Sequence, residues 1–441
     1  MNVRKSVVWL LLLVLAGNGT GCDLVDIEDR PDPNGPSLEG VLRNPTRAQI
    51  ENLAVGVEAS ARLELQTYFV DVGMIGREVY RFSSADPRFT GDLLGKGTSV
   101  LDNNTFYITR PWGARYRTIR NANILIEAAD LSTALSAEEK RAVKGFAGTF
   151  IAHQLLMNLN LTFRNGIRVD VAGEEPGPVA GYDEALAQIA AMLDAANGDL
   201  GAGGSVFPFP LSGGFAGFNT PPTFRQFNRA LAARVAAYRQ DWAGVLNLLQ
   251  GSFLDVNAPL TRGVYHSFST APGDLANPLA FNPNAPAGDA YVAHPSYAND
   301  IRPGDTRIAK VLLRDEPASL DGLTSNYGIV TYPAADSPIP IIRNAELILL
   351  RAEARIQTGD LAGAVADLNV IRQAAGLGPY DGAMTRDALL DEMLYQRRYE
   401  LFNEGHRWVD MRRYGRLNQL PIDRAGDDVW EQFPIPRTEN V

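Results

Sequence analysis

A single cysteine, Cys22, stands in 441 residues, so the chain can close no disulfide of its own and build no thiolate metal cluster. Its stability must come from buried apolar surface, which a chain of this length can supply. Histidine is almost as scarce. His153, His266, His294 and His406 are scattered, and none sits in an H-E-x-x-H or similar ligand spacing. A calcium site made of loop carboxylates and carbonyls needs no such motif and stays open. No G-x-S-x-G elbow is present, and Gly95-Lys96-Gly97-Thr98 places glycine where a phosphate loop needs Ser or Thr. Only five of the 41 basic residues are lysine, no basic run occurs, and the net charge is −10, which argues against nucleic acid or anionic lipid as ligand. No catalytic residue, metal ligand or cofactor is therefore predicted. A glycosidase carboxylate pair is defined by its separation in space, so that alternative stays open.

The N-terminus reads as a leader. Arg4 and Lys5 precede the apolar run Val7 to Ala16, about half the ~20 residues a spanning helix needs. Gly19-Thr20-Gly21-Cys22 then resembles a lipobox, with Gly19 where Leu is usual. The expectation is a signal peptide over 1–21, lipidation at Cys22 and a tether over 22–40, whose Asp, Glu and Pro content cannot bury enough apolar surface to fold. The acidic residues behind Cys22 resemble the surface-export signals of Bacteroidetes-type lipoproteins.

Residues 41–441 read as one domain, mainly α-helical, with helix pairs near 46–130, 136–198, 222–250 and 343–375. Ile50, Leu53, Val57 and Ala61 carry a three- and four-residue spacing, and Ser136 with Glu139 has the form of a capping box. Residues 232–245 align without gaps on 351–364, matching Ala233 with Ala352, Asp241 with Asp360, Ala243 with Ala362 and Gly244 with Gly363. Each copy reads as a helix hairpin similar to the tetratricopeptide unit, but the two are far apart in sequence, which excludes a uniform solenoid. Between them lies a loop-rich region, 251–340, with a few short strands.

The C-terminal third carries the most specific pattern. Over residues 396–413, Arg397, Glu400, Leu401, Glu404, Gly405, Arg407, Asp410 and Arg413 fall where the SusD/RagB family has its signature, with Gln396 standing where that family usually has Glu. Tyr116, Ile119 and Asn123, Asp305-Thr306-Arg307, the stretch from Ala345 to Ala354, and Phe433-Pro434-Ile435-Pro436 follow in the family's order. The chain thus resembles that family over nearly all of 22–441. The resemblance implies a TPR-like scaffold with a loop-rich ligand face. It also implies an outer-membrane, surface-side nutrient-binding lipoprotein that hands an oligosaccharide or other nutrient to a SusC-like TonB-dependent transporter. The signature itself reads as structural, tying the last helices to the hairpins.

Sugar rings suit an aromatic platform flanked by polar groups. The loop after the first helices offers Tyr80, Phe82, Phe89, Phe106 and Tyr107 among Arg81, Asp102, Asn103 and Asn104. The later region offers Tyr265, His266, Phe268, Tyr291 and Tyr297. The resemblance points to the same two regions, and the predicted ligand residues are Tyr80, Phe82, Asn103, Tyr107, Tyr265, Phe268, Tyr291 and Tyr297. Trp112, Tyr116, Trp242 and Trp408 are expected in the core. A peptide-binding relative and a carbohydrate-degrading surface enzyme are the competing readings.

Overall fold

The computed structural model describes residues 40, 42–173 and 175–439. The expected leader, Cys22 and the tether up to residue 39 lie outside them. Two units separate, 1–44 and 45–441, and the second is described here.

The chain begins with α1 (Arg47–Ala61), started by a capping box in which the Thr46 side chain accepts from the Gln49 N–H. The periodic pattern predicts one helix to Leu65. The backbone instead breaks at Glu64, which takes a left-handed φ of 52°, and restarts as α2 (Leu65–Ile75). Strand β1 (Val79–Ser83) follows, then α3 (Phe106–Leu131) and α4 (Ala137–Thr162). The predicted box at Ser136 is present: its hydroxyl accepts from the Glu139 N–H at 3.2 Å and Glu139 accepts from the Ser136 N–H at 2.7 Å. A two-strand ribbon, β2 (Ile167–Arg168) and β3 (Val179–Ala180), leads to α5 (Tyr182–Gly201).

The repeated segments form α6 (Pro221–Tyr238) with α7 (Trp242–Gln250), and α9 (Asn344–Thr358) with α10 (Leu361–Ala374). Their turns are built alike. Gln240 and Gly359 both take left-handed φ, and Asp241 and Asp360 each accept from the N–H of the glycine three residues on at 2.9 Å. A methyl group on Gly244 or Gly363 would meet that Asp carboxylate at 2.1 Å, so alanine at either position would displace the cap. The copies are distant in sequence yet neighbours in space, since α9 packs on both α7 and α6. The helices stack in the order α1, α3, α4, α5, α6, α7, α9, α10 and α11 (Arg386–Glu400). Residues 251–343 thus leave the stack and return to it.

That excursion holds β4 (Gly263–His266), β5 (Asp289–Ala293), the short α8 (Ser296–Asp300), β6 (Val311–Leu320), β7 (Leu323–Ile329) and β8 (Ile339–Arg343). The four-stranded sheet has the order β1-β5-β7-β6, so a strand from the early loop is the edge of a sheet made by the late one. The two loop regions are one structure. Asp321 and Gly322, both at positive φ, close the β6–β7 hairpin, as an Asp-Gly pair suits.

The signature occupies α11, a break at Gly405 (φ 79°) and α12 (Arg407–Arg413). Arg397 bonds Asp410 at 2.6 Å across the break, and Arg413 joins Asp410 at 3.0 Å and Glu353 of α9 at 2.9 Å. Arg343 holds both Glu400 and Glu404 at 2.7 Å, and Arg234 of α6 holds Glu346 of α9 at 2.7 Å. Arg407 donates to the Gly76 carbonyl that ends α2. The signature's charges thus reach mainly between elements: Arg397 pairs with Asp410 and Glu400 with Arg343, while Arg407 goes to a backbone carbonyl. The Gly405 break turns α12 so that Asp410 faces Arg397, leaving Glu400 to Arg343. Among the described residues no helix is long and apolar enough to cross a membrane.

Candidate ligand-binding site

Strand alternation decides which loop aromatics have a free face. On β1, Tyr80 and Phe82 point one way and stack on each other at 5.4 Å in the core, while Arg81 between them points the other. The Arg81 guanidinium lies 5.1 Å from the ring centre of Phe281 and 5.8 Å from that of Phe89. Phe89 packs edge-on against Phe106 at 5.0 Å, and Arg88 sits 4.9 Å from the Phe106 ring centre. Phe281, Phe89 and Phe106 are each half-buried, so a strip of three rings and two guanidinium groups joins the two loop regions at the surface. Arg81 is fixed by Asp289 and by the Phe82 carbonyl at 2.8 Å. Arg88 is fixed by Asp86 through bonds of 2.8 and 2.7 Å, and these hold the Asp86 carboxyl below its ordinary range.

Beside the strip is a groove of about 580 Å³ between the 83–99 loop and the β6–β7 turn. Arg88, Ser84, Asp92, Lys96 and Asp321 line it. Asp321 is held by Lys96, by Arg424 at 2.6 Å and by the Thr90 hydroxyl at 3.0 Å. The arrangement offers flat apolar faces next to fixed donors and acceptors. Asp86 and Asp321 are both committed to cations, whereas Asp92 accepts from the Tyr107 hydroxyl at 3.2 Å and burial pushes its carboxyl up. Among the described residues no cluster of three or more His, Cys, Asp or Glu could hold a metal ion.

Most of the predicted ligand residues lie elsewhere. Tyr80, Phe82, Tyr107, Phe268, Tyr291 and Tyr297 are buried in one core cluster, where a ring has no face to offer. Their hydroxyls work inside the fold. Tyr107 accepts from the Asp102 N–H at 2.6 Å and donates to Asp92 at 3.2 Å, pinning the loop that carries the strip. Tyr291 bonds Asn403, and Tyr297 donates to the Arg307 carbonyl at 2.8 Å. Asn103 is half-buried in the loop before Phe106, its carbonyl accepting from the Arg437 N–H. Tyr265 is half-buried too, but it lines a different cavity of about 260 Å³ with Glu58, Arg62 and Ser212. Burial there pushes the Glu58 carboxyl up, against its bonds to Ser212. Of the rings expected in the core, Trp112 and Trp408 are buried, while Tyr116 and Trp242 are partly exposed.

Phe281 was not among the sequence candidates. A signal exists, since Phe281 stands in Phe-Asn-Pro-Asn, whereas Tyr291 stands in the apolar run Ala-Tyr-Val-Ala. Turn residues mark the first ring as a loop ring and the second as a strand ring.

Comparison with known proteins adds a sequence and a fold relation. Residues 325–436 match the family model of the SusD family. A SusD-like protein of Formosa agariphila is 34% identical over 110 residues, a stretch spanning 22% of this chain and 22% of that relative's length. A SusD superfamily protein of Bacteroides vulgatus superposes with a TM-score of 0.68 at 17% identity, covering 89% of this chain and 96% of that one. The surface glycan-binding protein A of Bacteroides thetaiotaomicron, solved in complex with laminarihexaose, also gives 0.68 at 14% identity, covering 90% and 97%. At such identities the likeness is one of fold. The sequence likeness to the SusD family is thus confined to residues 325–436, and over most of its length the chain shares the fold of SusD-like proteins.

Proposed function

We propose that this protein is a surface glycan-binding lipoprotein that captures an oligosaccharide at the Phe89–Phe106–Phe281 strip and breaks no bond in it. The observation that carries this reading is the half-buried strip itself, where aromatic rings at the surface meet guanidinium groups fixed by Asp86 and Asp289. Stacking on a sugar's C–H face supplies contact area, and the fixed donors choose among hydroxyl patterns. The structural relative solved with laminarihexaose supports a glycan as the ligand class. In this reading Cys22 carries the lipid, the acidic segment behind it directs export to the cell surface, and a SusC-like TonB-dependent barrel receives the ligand. Handover requires release, so moderate affinity suffices.

Calorimetric titration of the chain with a panel of neutral and acidic oligosaccharides and of short peptides, followed by chromatography of the recovered sugar, tests the proposal. Binding with the sugar recovered intact is the expected result. Shortened products would establish a glycan-degrading enzyme, and binding of peptides alone would establish the peptide reading.

A further inference from the structure

A second site emerges from the arginines that have no carboxylate. Most arginines here are paired with Asp or Glu, but four that are not, Arg164, Arg239, Arg386 and Arg412, line one cleft of about 810 Å³. The cleft shares no lining residue with the strip or its groove. It opens where the α6–α7 turn, the end of α4, the start of α11 and the end of α12 converge. Arg412 is buried, with its terminal nitrogens on the carbonyls of Glu431 and Asn160 at 2.9 Å and its Nε without a partner. Its charge rests on aromatic faces instead, 4.3 Å from the ring centre of Phe163 and 4.4 Å from that of Trp408. Burial without a counter-ion brings the Arg412 guanidinium down to about 10. Arg239, Arg386 and Arg164 stand exposed around it, and Trp242 and Tyr414 offer half-exposed rings. Two carboxylates, Asp183 and Glu431, are present, both exposed, so these four arginines outnumber the acids two to one.

A concentration of unneutralised guanidinium groups on a chain of net charge −10 is a local exception that raises the anion concentration in its vicinity. Guanidinium matches the planar carboxylate geometrically, and adjoining aromatic rings suit a pyranose face. We propose that this cleft binds acidic saccharides, with carboxylates of uronic acid residues on Arg239, Arg386 and Arg164 and a sugar ring against Trp242.

The test is calorimetry of the purified chain with trigalacturonate, maltotriose, hexaglutamate and sodium sulfate at low salt. The proposal predicts trigalacturonate binding at least tenfold tighter than maltotriose, weakening as NaCl screens the charges. Arg239→Gln and Arg386→Gln, both exposed and so tolerated by the fold, should each weaken it fivefold or more with no change in Tm. Trp242→Ala should do the same for trigalacturonate and leave sulfate unaffected, and Phe89→Ala should leave trigalacturonate binding intact. Equal affinity for trigalacturonate and maltotriose, or indifference to both arginine substitutions, would overturn the proposal. Hexaglutamate or sulfate binding as tightly as trigalacturonate would overturn the saccharide class, and loss of binding in Phe89→Ala would return the ligand to the strip.

Discussion

Arg397 on α11 and Asp410 on α12 meet at 2.6 Å, both buried, across a chain break in which Asn403 and Gly405 both take positive φ. A Cβ at Gly405 would press on the Phe69 ring at 3.1 Å. Arg413 carries the link on to Glu353, so the pair is the middle of a relay that fastens the last two helices to the final hairpin.

Removing one member of such a buried pair leaves the other charge uncompensated, at a cost of about 3–5 kcal/mol. Asp410→Asn should therefore lower the urea midpoint sharply, while the double change Arg397→Met with Asp410→Leu should recover much of the loss. Equal destabilisation by the single and double variants would show that the pair's charges are not what matters.

The cap of α10 makes a smaller, cleaner prediction. Gly363→Ala places a methyl against the Asp360 carboxylate and should eject the cap, costing about 1 kcal/mol. Asp360→Ala should cost about the same, and the double variant should cost little more than either alone. Additive losses in thermal unfolding would mean that the two residues act separately.

Much of this scaffold was legible in the sequence because helix signals are local. The Ser136 box, the spacing in α1 and the matched Asp-x-x-Gly turns each concern neighbours along the chain. The stacking of α9 on α6 and α7 was not legible, because nothing local says that 93 intervening residues return to their starting point. The same holds for β1. Tyr80 and Phe82 look like loop aromatics until β5, two hundred residues later, pairs with them and turns their side into core. Alternation around Arg81 and the Asp321-Gly322 hairpin signal were present in the sequence. Composition alone could not turn them into a sheet.

Glu78 gives a pH dependence of defined sign. It is buried with one carboxylate oxygen unpartnered, and burial raises it to about 7 against the pull of Arg407. A folded pKa above the unfolded 4.5 means the group's contribution is fully present below pH 4.5 and is lost as pH rises through 7. Glu78→Gln should thus stabilise the protein at pH 8, by about 3 kcal/mol at most, and the gain should vanish by pH 4. A gain that persists unchanged at pH 4 would assign it to packing.

For the proposed anchor, Cys22→Ser should abolish incorporation of labelled palmitate and release the protein from the membrane fraction. Retention of label in that variant would place the lipid elsewhere.

The central claim is that the strip, and not the buried tyrosines, holds the glycan. The direct measurement is calorimetric affinity for the best-binding neutral oligosaccharide in the wild type, Phe89→Ala, Phe281→Ala and Tyr297→Phe. The account predicts at least tenfold weaker binding in the two phenylalanine variants and wild-type affinity in Tyr297→Phe. Undiminished affinity in both Phe89→Ala and Phe281→Ala would contradict it.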